Sequence, residues 1–241
     1  MDEALITAIR ERYHRALDQI AEATSRCGRE AGTVHLVVVS KSQPLAVVRA
    51  AVAAGVSILG ENYAEEAVAK ISALQETEVE WHMIGHVQSR KADLVAGHFS
   101  MLHSLDSVKL AGRLDRFCDE SARTLPVLLE VNVSGEESKF GFPAWDERHW
   151  TDLEPIIEQV TAFTHLRLRG LMTMPPFFVD QEKTRPYFKQ LRKLQVILRE
   201  RFPKTDWTEL SMGTSADFIA AVEEGATYVR VGQAILGPRQ V

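Results

Sequence analysis

Cysteine is scarce in this 241-residue chain: only Cys27 and Cys118 occur, and neither belongs to a CxxC pair. Two thiols are too few for a disulfide framework and read as free cysteines of a reducing compartment. An excess of positive charge is missing as well. The 28 Lys and Arg face 33 Asp and Glu, a formal net charge of −5, which leaves no electrostatic footprint for nucleic acid. No apolar run approaches the roughly 18 residues that a membrane span needs. The opening MDEALITAIRERYHRAL sets acids and arginines among its apolar positions, as an amphipathic helix does and a signal peptide does not. Linkers rich in Pro, Gly or Ser, low-complexity tracts and short repeats are also absent. These absences predict one soluble, cytoplasmic domain over residues 1–241, a monomer with neither nucleic acid nor membrane as a partner.

Two phosphate-binding signatures are lacking: no GxGxxG and no GxxxxGK[ST] follows any apolar run. What is present is a regular alternation. Strand-like runs occur at VHLVVVSK, SILGEN, EWHMIGH, SMLHSLD, LPVLLEVNV, LRLRGLMTM, TELSMG and TYVRVGQAILG, with helix-like segments such as PLAVVRAAVAAG and YAEEAVAKISAL between them. Eight strands alternating with helices imply parallel βαβ units. At this length they predict closure into a (β/α)8 barrel, a TIM barrel with an extra N-terminal helix. The segment SGEESKFGFPAWDERHW reads as a long loop leading into a helix.

In such a barrel chemistry sits on the loops at the C-terminal strand ends. The eight runs close, in order, on Lys41; Glu61 and Asn62; His82 and His86; Ser104 and Asp106; Asn132; Met172 to Met174; Ser211, Gly213, Thr214 and Ser215; and Arg230, Gly232 and Gln233. Polar groups therefore gather at one end. Arg230, between Val229 and Val231, points away from both valines, and an unpaired guanidinium on either face of a barrel strand is costly. A buried salt bridge to a neighbouring strand end is one account of it.

GQAILG reads as a short helix with free N–H groups, and SMGTS supplies hydroxyls and amides at the place where this fold recurrently binds phosphate. Thr214 or Ser215 could equally cap the following helix. Lys41 then acquires a chemical reading. A lysine desolvated in a barrel mouth is pushed toward its neutral amine, which attacks carbonyls to form Schiff bases. A nucleophilic lysine, a phosphate site and an interior arginine together point to pyridoxal phosphate. A sugar-phosphate aldolase would share the first two and have less use for Arg230.

The chain resembles the pyridoxal phosphate homeostasis proteins (the YggS/PROSC family), whose fold is like the N-terminal domain of alanine racemase. The resemblance runs nearly end to end, through VVVSKSQP, GENYAEE, WHMIGHVQSRKADL, HSLDS, LEVNVSGEESKFGF, LRGLMTM and LSMGTSADFIAAVEEGATYVRVGQAILGPR. It implies that Lys41 holds pyridoxal 5′-phosphate as an internal aldimine and that Arg230 faces the pyridine nitrogen. It also implies that Ser211, Gly232 and Gln233 hold the phosphate and that Asn62 lines the ring. GTS stands where the family often has GMS, and Gln233 where Thr is frequent. The implied role is carriage or regulation of the cofactor in vitamin B6 homeostasis, with cofactor-dependent apoenzymes as acceptors and no catalytic residue.

A weak amino-acid racemase is the alternative. An arginine partner leaves the ring nitrogen unprotonated and the ring a poor electron sink, which disfavours it. The chain also ends at Val241, without the second, β-rich domain that gives a racemase its opposing acid/base. Tyr63 is the one tyrosine retained as a substitute. A barrel with an inert lysine and a salt-bridged Arg230 is the third reading. No metal is expected: His82 and His86 have helical metal-pair spacing, but Met83 occupies the Glu position of HExxH, and a strand holds such residues over ~10 Å apart. His82 reads equally as a cofactor neighbour or as a core histidine. Asp106 or Ser107 reads as a helix cap.

Overall fold

The computed structural model describes residues 2–238; Met1 and residues 239–241 lie outside it. The chain opens with α1 (Glu3–Arg26), capped by Asp2, whose carboxylate accepts from the N–H groups of Ala4 and Leu5. There follow β1 (His35–Val39), α2 (Leu45–Ala53), β2 (Ile58–Glu61), α3 (Ala64–Ala73), β3 (Glu80–Met83), α4 (Ala92–His98), β4 (Met101–Leu105), α5 (Val108–Glu120) and β5 (Leu125–Asn132). A two-residue bridge, β6 (Phe142–Pro143), precedes α6 (Glu154–Thr161), β7 (Leu166–Met172), α7 (Arg185–Arg201), β8 (Glu209–Thr214), α8 (Phe218–Glu223), β9 (Tyr228–Val231) and α9 (Gln233–Leu236).

Strands β1, β2, β3, β4, β5, β7, β8 and β9 pair in that cyclic order, all parallel, and the β4–β5 and β9–β1 pairings close the barrel. All eight expected strands are in the ring. The long segment after β5 adds what periodicity did not show: β6 pairs with the C-terminal end of β5, and a 3₁₀ turn over Glu147–Leu153 leads into α6.

The outer ring explains the extra helix. Among the described residues the last strand is followed by α9, four residues long. Helix α1 packs against α2, α8 and α9, filling the ring position that α9 is too short to cover. Its buried residues Ile6, Ile9, Tyr13, Ala16, Ile20 and Ala23 recur at steps of three and four, the spacing of one helical face.

Strand parity sets what enters the barrel. On β1, Leu36 and Val38 belong to the large core under the helices. Val37 and Val39 take the opposite face, since successive side chains alternate. A Cβ on Gly60 would come within 2.7 Å of Val37 Cγ1, and His35 stacks on Tyr228 with ring centroids 5.1 Å apart. Met101, Leu128 and Met172, with Tyr228 packed on them, form a separate small cluster inside the ring.

Candidate ligand site at the mouth of the barrel

A cavity of about 740 Å³ opens at the C-terminal ends of the strands. That is ample for a small ligand, whose sites usually run from about 300 to 1,000 Å³. Lys41, two residues beyond Val39 on the inward parity of β1, lines it. Its neighbours are fixed from behind. Ser40 Oγ donates to Glu61 Oε1 at 2.7 Å, and the Ser42 N–H donates to Glu66 Oε1 at 2.8 Å. Lys70 Nζ joins both carboxylates and donates to the Ser40 carbonyl at 2.9 Å. Glu61, read as a strand-end group, therefore faces away from the cavity; burial raises its pKa against the opposing pull of Lys70.

Asn62, Arg230, Gly232 and Gln233 also line the cavity, so five of the six expected ligand residues come together. Ser211 does not. It pairs in register with Tyr228 at the start of β9, whereas Thr214 pairs with Arg230, and the ladder is irregular between them. Ser211 thus sits a level lower, fully buried, its hydroxyl engaged by Arg230 and by His103. Thr214 and Ser215 take the place at the cavity wall that was expected of Ser211. Neither caps α8, whose preceding residue is Asp217. Asp217 instead accepts from the Thr214 N–H at 2.7 Å and from its hydroxyl at 3.1 Å. The Gly232 N–H donates to Ser215 Oγ at 3.4 Å, and a Cβ on Gly232 would meet Val39 Cβ and O, both at 3.3 Å.

Arg230 is buried without a carboxylate contact among the described residues. It donates from Nη2 to the Thr173 carbonyl and to Met174 Sδ, both at 2.9 Å, and from Nη1 to Ser211 Oγ. Burial lowers its pKa to about 10, while the more distant Asp217 and Glu130 pull upward. The salt-bridge account of Arg230 is therefore replaced by hydrogen bonds to neutral groups.

Two further side chains at the cavity, Glu130 and Phe140, were not singled out in the sequence. Glu130 points inward from β5, and burial, reinforced by Asp106, raises its pKa to about 7. Period-two parity with the interior Leu128 was the signal for it. His86 Nδ1 lies 2.6 Å from Asp106 Oδ2, and its ring stacks on Phe140 at 3.9 Å. Asp106 thus serves His86, and Ser107 caps α5 through the Leu110 N–H. His82 is a core histidine below the cavity, 1% exposed. No cluster of metal-ligating residues occurs among the described residues. No helix among them is long and apolar enough to cross a membrane.

The donor set suits a phosphorylated aldehyde. Lys41, Arg90, Lys91, Lys139 and Arg230 face two carboxylates, Glu65 and Glu130, around the cavity, although the chain as a whole is acidic. The Thr214 and Ser215 hydroxyls and the close-approach Gly232 line the same cavity, at the ends of β8 and β9, and β9 is next to the strand that presents the lysine.

Residues 16–240 match the family model for the alanine racemase N-terminal domain. The pyridoxal phosphate homeostasis protein of Pseudomonas aeruginosa is 40% identical over 234 residues, 97% of each chain. The chain belongs to the pyridoxal phosphate homeostasis protein family. The relative of the same name from Vibrio alginolyticus is 37% identical over 97% of this chain and 99% of its own. Among solved structures, PipY of Synechococcus elongatus with pyridoxal phosphate bound superimposes with a TM-score of 0.79 at 36% identity, covering 90% of this chain and all of PipY.

Proposed function

We propose that the cavity binds pyridoxal 5′-phosphate with Lys41 as its covalent anchor, and that the protein carries or buffers this cofactor in the cytoplasm, as a monomer, without turning over a substrate. One observation carries the reading. Lys41 after β1, Arg230 on β9 and the Thr214–Ser215 and Gly232 wall, on adjacent strands of the ring, converge on one cavity. When bound there, the cofactor supplies an aldehyde for amines and an electron-withdrawing ring.

The chain's own residues divide the work. Lys41 Nζ would supply the amine that holds the cofactor through its aldehyde. Thr214, Ser215 and the Gly232 amide would receive the phosphate, with Gln233 beside them, and Asn62 would line the ring. Arg230, which only donates, would face the ring nitrogen and leave it unprotonated, which weakens the ring as an electron sink. That favours carriage over carbanion chemistry. Tyr63, Phe140 and Met174 at the cavity are all exposed, so Lys41 is reachable by the amines of apoenzyme acceptors.

The test is visible absorbance of wild type and Lys41→Ala with added cofactor, followed by borohydride reduction and peptide mapping. The expected result is a band in wild type only, with the reduced adduct on Lys41 and stoichiometric delivery to an apoenzyme. Catalytic deuterium exchange at the α-carbon of an amino acid, lost in Lys41→Ala, would assign an enzyme instead.

A further inference from the structure

Below the cavity a column of polar side chains runs down the barrel interior. Ser211 Oγ, which accepts from Arg230 Nη1, is 2.8 Å from His103 Nδ1. His103 Nε2 is 3.0 Å from His82 Nδ1, and His82 Nε2 is 3.3 Å from Glu80 Oε2. Arg230, Ser211, His103 and His82 are each at most 4% exposed. Glu80 is the first residue of β3, at the end of the barrel opposite the mouth, and its side chain is 61% exposed.

The two ends fix the direction of every bond between them. Arginine only donates, and an ionised carboxylate only accepts. Ser211 Oγ therefore accepts from Arg230 and gives its own proton to His103 Nδ1. His103, kept neutral chiefly by burial, then carries its proton on Nε2 and donates to His82 Nδ1. His82 in turn carries its proton on Nε2 and donates to Glu80. The reverse order would aim a lone pair of a neutral His82 at the carboxylate and leave the Ser211 proton with no acceptor in the column. Bonds aligned in one sense polarise one another in a low-dielectric interior.

We propose that Ser211, His103, His82 and Glu80 are positioning residues that hold Arg230 in one donor geometry and link the guanidinium beneath the ligand to a carboxylate on the far face of the barrel. The column answers how a buried guanidinium persists without an ion pair. Three of its five N–H groups go to Ser211, Thr173 and Met174, and the residue also lines the cavity. A charge change at Glu80 is then felt at the ring of a bound ligand across the length of the barrel. The part concerning the ligand rests on the pyridoxal phosphate reading of the cavity; the part concerning the column does not.

The experiment has two arms. In cofactor-free protein labelled with ¹⁵N histidine, NMR reads the tautomers of His82 and His103. Both are expected neutral with the proton on Nε2, and an Nδ1–H tautomer at either overturns the column's direction. In the second arm, Glu80→Gln keeps an oxygen acceptor for His82 but removes the charge, at an exposed position where folding is retained. Its bound cofactor is expected to show a shifted visible maximum and a several-fold higher Kd, with Tm unchanged; Ser211→Ala is expected to shift the maximum further in the same direction. Superimposable spectra and equal Kd for Glu80→Gln and wild type would overturn the link to Arg230. A wild type that takes up no cofactor would sink the ligand reading, while the tautomers still judge the column.

Discussion

Lys70 Nζ lies 2.7 Å from Glu61 Oε1 in a buried ion pair directly behind the strand end that presents Lys41. Lys70 is 7% exposed at its side chain and Glu61 is fully buried. Removing one member of such a pair strands the other, at a cost of about 3–5 kcal/mol. Lys70→Met is thus expected to lower the denaturation midpoint substantially. Because Lys70 also holds the Ser40 carbonyl, the same variant is expected to bind pyridoxal phosphate more weakly. The double variant Lys70→Met/Glu61→Leu removes the stranded charge and is expected to recover most of the stability but not the affinity. Denaturant unfolding and absorbance titration of the three proteins check this.

Gly213 lies in the irregular last step of β8, just before the turn that brings Ser215 to the cavity. Its φ is +90°, and a Cβ there would lie 2.5 Å from Ala221 Cβ and 3.0 Å from Phe218 Cα. Gly213→Ala is therefore strained both by its backbone and by contact with α8. The backbone part alone costs on the order of 1–3 kcal/mol. The expected outcome is a lower Tm together with weaker inhibition of cofactor uptake by inorganic phosphate, since the hydroxyls that follow the turn are displaced. Unchanged phosphate competition would place the anion elsewhere on the cavity wall.

Parity and depth were unequally legible in the sequence. Lys41 at the end of the first strand and Arg230 flanked by two valines were legible, because each is read from one strand's own residues; the face that Arg230 takes was left open, and the fold turns it to the cavity. Depth along the barrel depends on the register of neighbouring strands, which no single run contains. Ser211 was accordingly expected at the phosphate but lies level with Tyr228, below the irregular step in the β8–β9 ladder. Glu61 shows the complementary difficulty: it ends its strand, yet its parity sends it outward to Lys70. Glu130 went unread because it precedes the strand end, and it takes its character from Asp106 and from burial, both supplied by the fold.

Phe140, 54% exposed, covers the ring of His86 at 3.9 Å with an interplanar angle of 9°. Both side chains line the cavity, one from the loop after β5 and the other from the loop after β3. The stack ties two rim loops together. Phe140→Ala is expected to speed cofactor exchange several-fold, measured by stopped-flow trapping with an excess of a carbonyl reagent. The borohydride adduct is expected to stay on Lys41. An unaltered rate would show that exchange does not pass this side of the mouth.

Glu130 gives the protein a defined pH dependence. Its carboxyl rises from 4.5 to about 7 on folding, so the folded state holds a proton that the unfolded chain gives up more readily. The stabilising effect of that proton is complete below about pH 4.5 and is lost as pH rises through about 7. The full span corresponds to about 3 kcal/mol. Cofactor-free wild type is therefore expected to lose stability between about pH 5 and pH 8. Glu130→Gln, which cannot ionise, is expected to flatten that part of the profile and to be the more stable protein at pH 8. Chemical denaturation across the range checks it: parallel profiles for the two proteins would mean that Glu130 titrates in the folded state as it does in the unfolded chain.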